Sequence, residues 1–224
     1  MNHQEHNLVH ISAGAVELEG NLHLPANASG IVLFAHGSGS SRHSPRNRFV
    51  ADQLHHSGLA TLLIDLLTAE EEMADRFTGH LRFDIPLLAR RLGHVTDWLK
   101  QNSATRALSI GYFGASTGAG AALLAAADHP REVAAVVSRG GRPDLAGDAL
   151  LRVKAPTLLI VGAKDAQVIR LNQAALAQLP GEKRLTLVTG ASHLFEEPGT
   201  LEQVATLARF WFEQYLISAA PHSN

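Results

Sequence analysis

Short apolar, β-rich runs recur along this chain with helical patterns between them, and that alternation limits the fold more than any other feature. Gly30-Ile-Val-Leu-Phe-Ala35 is apolar throughout, as expected of a strand covered on both faces. Leu59–Ile64, Ala107–Phe113, Val133–Val137, Thr157–Val161 and Arg184–Val188 are likewise strand-like. Ser44-Pro45 starts a helix, with serine as N-cap and proline at the first helical position. Leu88, Leu92, Val95 and Leu99 fall at helical spacing, and the last helix carries Leu201, Val204, Leu207, Trp211 and Tyr215 on one stripe. Val9–Ile11 and Ala15–Leu24 read as a leading hairpin. Strands alternating with helices predict a parallel sheet wrapped on both faces, whose ligands sit at the carboxyl ends of the strands.

Composition narrows the function classes. Of 224 residues, 46% are hydrophobic and 18% charged, enough apolar material for the core of a single domain spanning residues 1–224. Polar stretches 1–6 and 218–224 read as flexible tails. A net charge of −2 gives no reason to expect nucleic acid or a membrane surface as partner. The chain has no cysteine, which excludes disulfides and a thiolate nucleophile. No signal-peptide pattern opens the sequence and no apolar run approaches the roughly 18 residues of a membrane span, so a cytoplasmic protein, monomeric or homodimeric, is expected.

Within this frame, Gly114-Ala-Ser116-Thr-Gly118 is the stretch that carries chemistry. It sits between a strand-like run and a helix-like run from Thr117 to Ala127. Five residues of this type also arise by chance as an inert turn. The strand–turn–helix setting favours a nucleophile, because a sharp turn lifts the serine Oγ clear of the sheet while the helix start offers free N–H groups.

The other strand-end loops supply partners. His36-Gly-Ser-Gly-Ser-Ser-Arg42 is a glycine loop without the lysine ending of a phosphate-binding P-loop. Its Ser38 N–H, with Gly39 in reserve, and the Thr117 N–H are the expected oxyanion donors. Asp165 follows one strand run and His193 the next. A histidine, titrating near about 6.5 as a residue type, suits the role of base, and a carboxylate would fix its tautomer. Each partner alone is weak: the chain has 13 histidines, and Asp144 rivals Asp165 as the acid. His10, His23, His55, His56, His94 and His129 read as surface positions. No spacing suggests a metal site, since His193-x-x-Glu196-Glu197 lacks the second histidine of the reversed zinc motif, and nothing calls for a cofactor.

Taken together, His36-Gly37, Gly114-Ala-Ser116-Thr-Gly118, Gly162-x-x-Asp165-x-x-Val168 and Gly190-x-x-His193 resemble the α/β-hydrolase superfamily. The set is most similar to its compact dienelactone-hydrolase-like esterases. The resemblance implies an eight-stranded, mostly parallel sheet with one antiparallel strand near the start and helices on both faces. It also implies a Ser116–Asp165–His193 triad. The short Arg139–Lys154 interval leaves little room for a cap domain, so the site is expected to be open to small or accessible esters. The enzyme that names the group uses a cysteine nucleophile where this chain has Ser116.

Two arginine clusters lie on the same loops, and Arg42 and Arg139 are candidates for binding an anionic part of the substrate. The plain alternative is surface charge or a local ion pair, such as Arg142 with Asp144. Segment 66–82, with Glu70-Glu-Glu72, reads either as a cover over the cleft or as a solvated loop or short helix. The expected activity is hydrolysis of carboxylic esters, with thioesters and lactones within reach, through an acyl-enzyme. Acyl transfer to another acceptor, or ligand binding without hydrolysis, would use the same residues.

Overall fold

The computed structural model describes residues 7–217; the two expected tails, 1–6 and 218–224, lie outside the described residues. Eight strands form one sheet: β1 (Asn7–Ala13), β2 (Val16–His23), β3 (Gly30–Ala35), β4 (Ala60–Ile64), β5 (Ser109–Ala115), β6 (Val133–Arg139), β7 (Thr157–Gly162) and β8 (Lys183–Val188). Their spatial order is β1-β2-β4-β3-β5-β6-β7-β8. β2 pairs antiparallel with both β1 and β4, and every pair from β4 through to β8 is parallel. β2 is therefore the single reversed strand, the eight-stranded α/β arrangement expected from the motifs.

The described residues hold six α-helices, all but α2 packed against the sheet: α1 (Pro45–His55), α2 (Ala69–Thr78), α3 (Ile85–Gln101), α4 (Thr117–Asp128), α5 (Ala166–Gln178) and α6 (Thr200–Phe212). Successive residues of a strand point to opposite faces, and β3 shows why its run has no polar position. Leu33 packs in the layer with Leu92 and Leu99 of α3, whereas Val32 and Phe34 pack in the layer with Val50 of α1 and Phe212 of α6. Both layers are closed, so every β3 residue is buried. Charged Lys183 and Arg184 start β8 at the open edge, where they discourage further strand pairing. No helix of the described residues is long and apolar enough to cross a membrane.

Sequence and structure part company in three places. β5 begins at Ser109 rather than Ala107, because residues 102–108 are held in turns by the Asn102 carbonyl and side chain. The final helical stripe does not run straight to Tyr215; α6 ends at Phe212 and continues as a π-turn over Glu213–Ile217. His55, read as a surface position, is buried. It lies one turn on from Ala51 on the sheet-facing side of α1, where its Nε2 meets Thr61 Oγ1 at 2.7 Å and its ring stacks on half-buried His23.

Segment 66–82 is helical over α2 and enters a short 3-10 turn at Leu81. Thr68 and Glu71 form a reciprocal capping box at the start of α2, and Gly79 ends it in the left-handed conformation. Buried Asp75 accepts the Leu81 and Arg82 N–H groups and pairs with the Arg82 guanidinium. Burial alone would raise the Asp75 pKa, but those donors outweigh it and hold the carboxyl down to about 2.

Candidate active site

Ser116 joins β5 to α4 with φ 50°, one of two non-glycine residues with positive φ among those described. That conformation is costly for a side-chain-bearing residue and persists only where its surroundings impose it. The glycines beside it show how. A Cβ on Gly118 would strike the backbone carbonyl oxygens of Ala35 and His36 at the end of β3, and one on Gly114 would strike the backbone of Ala119. The motif spacing thus reflects the near contact of three backbones. The Ser116 N–H donates to the Arg139 carbonyl at 3.2 Å, and its own carbonyl accepts from Ala119 and Arg142. Ser116 occupies the N-cap position of α4 without spending its side chain on the cap. Its half-exposed hydroxyl makes no hydrogen bond among the described residues.

Asp165 and His193 meet at the same sheet edge, with His193 Nδ1 2.7 Å from Asp165 Oδ2. A carboxylate only accepts, so Nδ1 carries the proton and Nε2 of the neutral ring is left as an acceptor. Asp165 is also the N-cap of α5, taking the Val168 N–H on its other oxygen at 3.3 Å. The rival acid, Asp144, is held by Arg142 through two bonds of 2.9 and 2.8 Å.

The histidine loop is tied down by Glu197, named in the sequence only within an incomplete zinc motif, and by Phe195. Glu197 accepts the Ser192 N–H on both oxygens, at 3.1 and 3.0 Å, and those bonds hold its carboxyl below the usual carboxylate range. Phe195, the second non-glycine residue with positive φ, turns its ring into the α1/α6 layer. Lys164 N–H donates to the Ala191 carbonyl, linking the Asp165 turn to the same loop.

The glycine loop after β3 lies against the serine turn. His36 braces it from below, its Nδ1 on the Gly37 carbonyl at 2.9 Å and its Nε2 accepting the Leu66 N–H at 3.2 Å. The Thr117 N–H, at the first position of α4, has no acceptor among the described residues. The Ser38 N–H, expected to be the second oxyanion donor, donates to Thr117 Oγ1 at 2.8 Å. The Gly39 N–H has no backbone acceptor. Beside this loop an open cleft of about 520 Å³ is lined by Gly39, Ser40, Ser41, His43, Ser44 and Pro45 on one side and by Glu72, Arg76 and Arg82 of segment 66–82 on the other.

The two arginine candidates differ sharply. Arg42 is engaged by acids, with Asp65 and Glu19 both accepting from its guanidinium. Arg139 is 7% exposed, lies next to Ser116 across the β5–β6 ladder, and has no carboxylate partner among the described residues.

No family model matches the chain. Two Mycobacterium tuberculosis proteins, of strains CDC 1551 and H37Rv, are each 61% identical to it over 213 residues and bear the name "Putative phosphoribosyl transferase". The match takes in 95% of this chain and 47% of each of theirs, so the chain spans about half the length of the curated relatives it matches. Among solved structures, Est1E from Butyrivibrio proteoclasticus shares the fold at 15% identity, with a TM-score of 0.78 over 92% of this chain and 98% of that one. A dienelactone hydrolase from Anabaena variabilis is far nearer, 64% identical with a TM-score of 0.94, over 96% of this chain and all of that one. That identity over the full length of the solved chain places this protein in the dienelactone hydrolase family of α/β-hydrolases.

Proposed function

We propose that this protein cleaves carboxylic esters of small or accessible substrates through a seryl acyl-enzyme. The observation that carries the reading is the 2.7 Å contact between His193 Nδ1 and Asp165 Oδ2 on the loops that follow β7 and β8, beside a strained serine whose hydroxyl is unspent. Substrate entering the site brings Ser116 Oγ and His193 Nε2 into hydrogen-bond contact, a link that is often long or absent before binding. Nε2 takes the hydroxyl proton as Oγ attacks the acyl carbon, and Asp165 stabilises the imidazolium that results. The Thr117 N–H, and the Ser38 N–H once it leaves Thr117 Oγ1, receive the developing oxyanion. The imidazolium gives its proton to the departing alkoxide, and water repeats the sequence to release the acid.

Acyl transfer to another acceptor shares every residue, and product analysis with added alcohols separates it. The phosphoribosyl-transfer name belongs to relatives about twice as long, and the residues assembled here suit acyl chemistry instead. The decisive experiment is an ester panel varying acyl length and charge, run on wild type and Ser116→Ala with phosphoribosyl diphosphate as a further substrate. Ester turnover lost in Ser116→Ala supports the proposal. Ester turnover retained in that variant, or turnover of phosphoribosyl diphosphate alone, overturns it.

A further inference from the structure

Arg139 is a buried cation with no carboxylate partner among the described residues. Its Nη2 makes one long bond, 3.4 Å, to Asn47 Oδ1. Its Nε is sealed from solvent without a partner, and the guanidinium lies 6.0 Å from the centre of the Phe195 ring. Arg139 Nη1 and Asn47 Nδ2 make no hydrogen bond among the described residues. Arg46 stands close enough that its charge, after burial itself, helps to pull the Arg139 pKa down to about 10. The acid near this group is Glu196, 3.7 Å from Arg46, and its side chain is 65% exposed.

A charge removed from water without a partner is expensive, and an apolar side chain of similar size would ordinarily serve better. Here a second cation adds repulsion, and the N-terminus of α1, whose first turn holds no acidic residue, adds positive potential. Two guanidinium groups, a free amide and a helix N-terminus against one solvated carboxylate leave room for about two negative charges. The Arg139 carbonyl accepts the Ser116 N–H, so Arg139 is a backbone neighbour of the proposed nucleophile.

We infer that Arg139, Arg46 and Asn47 form a subsite for a dianionic oxyanion, a phosphoryl or phosphonate group, beside Ser116. The group is either part of the ester substrate or a free phosphate held next to it. The inference rests on Ser116 as the nucleophile, and the test separates the two ideas. It uses 4-nitrophenyl esters whose acyl chains end in a phosphonate, a carboxylate or a methyl group, with inorganic phosphate as inhibitor. Proteins compared are wild type, Arg139→Met and, should the first variant fold poorly, Arg46→Gln at its half-exposed position.

A phosphonate tail is expected to raise kcat/KM over the methyl tail by about tenfold to a hundredfold, the worth of one or two charged hydrogen bonds. That ratio should collapse in the variants. Competitive inhibition by inorganic phosphate, lost in the variants but without preference among the esters, supports the subsite with free phosphate as its occupant. Equal preference for the carboxylate tail, or ester ratios and phosphate inhibition unchanged by Arg139→Met and Arg46→Gln, overturns it. Labelling of wild-type Ser116 by a neutral fluorophosphonate reports on the nucleophile separately: labelling with unchanged ratios overturns the subsite alone, and absence of labelling overturns the hydrolase reading beneath it.

Discussion

The backbone N–H of Ser38 donates to the side-chain hydroxyl of Thr117 at 2.8 Å, so a donor proposed for the oxyanion is occupied within the free protein. The serine turn and the glycine loop are thereby pinned together across 79 residues of sequence. Catalysis through Ser38 must break this bond at the moment charge develops. Thr117→Val keeps the branched shape and removes the acceptor. It is expected to raise kcat several-fold, since one neutral hydrogen bond of about 1 kcal/mol no longer has to be given up. Stability should fall by about 1–3 kcal/mol if the N–H is then left unpaired, and Thr117→Ser should restore it. Thermal melts beside ester kinetics measure both. A fall in kcat on Thr117→Val would place the hydroxyl itself against the oxyanion.

Asp165 has two tasks, and one substitution separates them. Oδ1 caps α5 through the Val168 N–H, while Oδ2 faces His193. Asparagine caps helices as well as aspartate does, so Asp165→Asn should fold with nearly wild-type stability. It cannot hold Nδ1 as the protonated nitrogen, and kcat should fall by about 10³–10⁴. Asp165→Ala should match that loss and melt lower by about 1 kcal/mol for the missing cap. Equal kcat in wild type and Asp165→Asn would remove Asp165 from the mechanism.

How much of this was readable from the chain depends on whether a residue's partner is local or distant. The sheet was legible because burial on both faces writes itself as unbroken apolar runs, and the serine turn because three backbones crowd two glycines. Asp165 and His193 were legible by position, each just past a strand. Arginine roles were not. Arg42 and Arg139 look alike in sequence, yet one meets Asp65 and Glu19 from β2 and the β4 loop while the other faces Asn47 and Phe195. Only the strand order decides which arginine finds an acid. His55 was misread for the same reason: its burial comes from Thr61 and His23 packing onto α1, contacts with no local pattern. Glu197 and His36 brace the site through backbone groups, which no motif records.

Glu197 makes the histidine loop sensitive to acid. Its carboxylate accepts the Ser192 N–H and lies near Lys164, and its folded pKa is held below the ordinary value, chiefly by the Ser192 bond. A depressed carboxyl pKa contributes stability that is fully present above the unfolded value of about 4.3 and lost as pH falls through the folded one. Protection of the Ser192 amide from hydrogen exchange should therefore decline below about pH 4 in wild type. Glu197→Gln should weaken protection at neutral pH and abolish its decline in acid over that window. Exchange of Ser192 with the same pH profile in both proteins would contradict this.

Gly118 holds the Ser116 turn against the His36–Gly39 loop by bare proximity. A side chain there would meet the carbonyl oxygens of Ala35 and His36, which are backbone and cannot rotate away, so β3 or α4 must shift. Gly118→Ala should cost at least the roughly 1–3 kcal/mol of an overpacked core position. It should also move His36–Gly39 relative to Ser116 and lower kcat by about a hundredfold, the cost of a misplacement near 1 Å. Gly58 is the control. It has φ 73° and open space where a Cβ would stand, in the turn between α1 and β4. Gly58→Ala should lose about 1–2 kcal/mol to its left-handed backbone and keep wild-type kcat. Melting curves matched with ester kinetics distinguish the two. If both variants lose stability and activity in the same proportion, the close approach at Gly118 has no particular part in holding the His36–Gly39 loop.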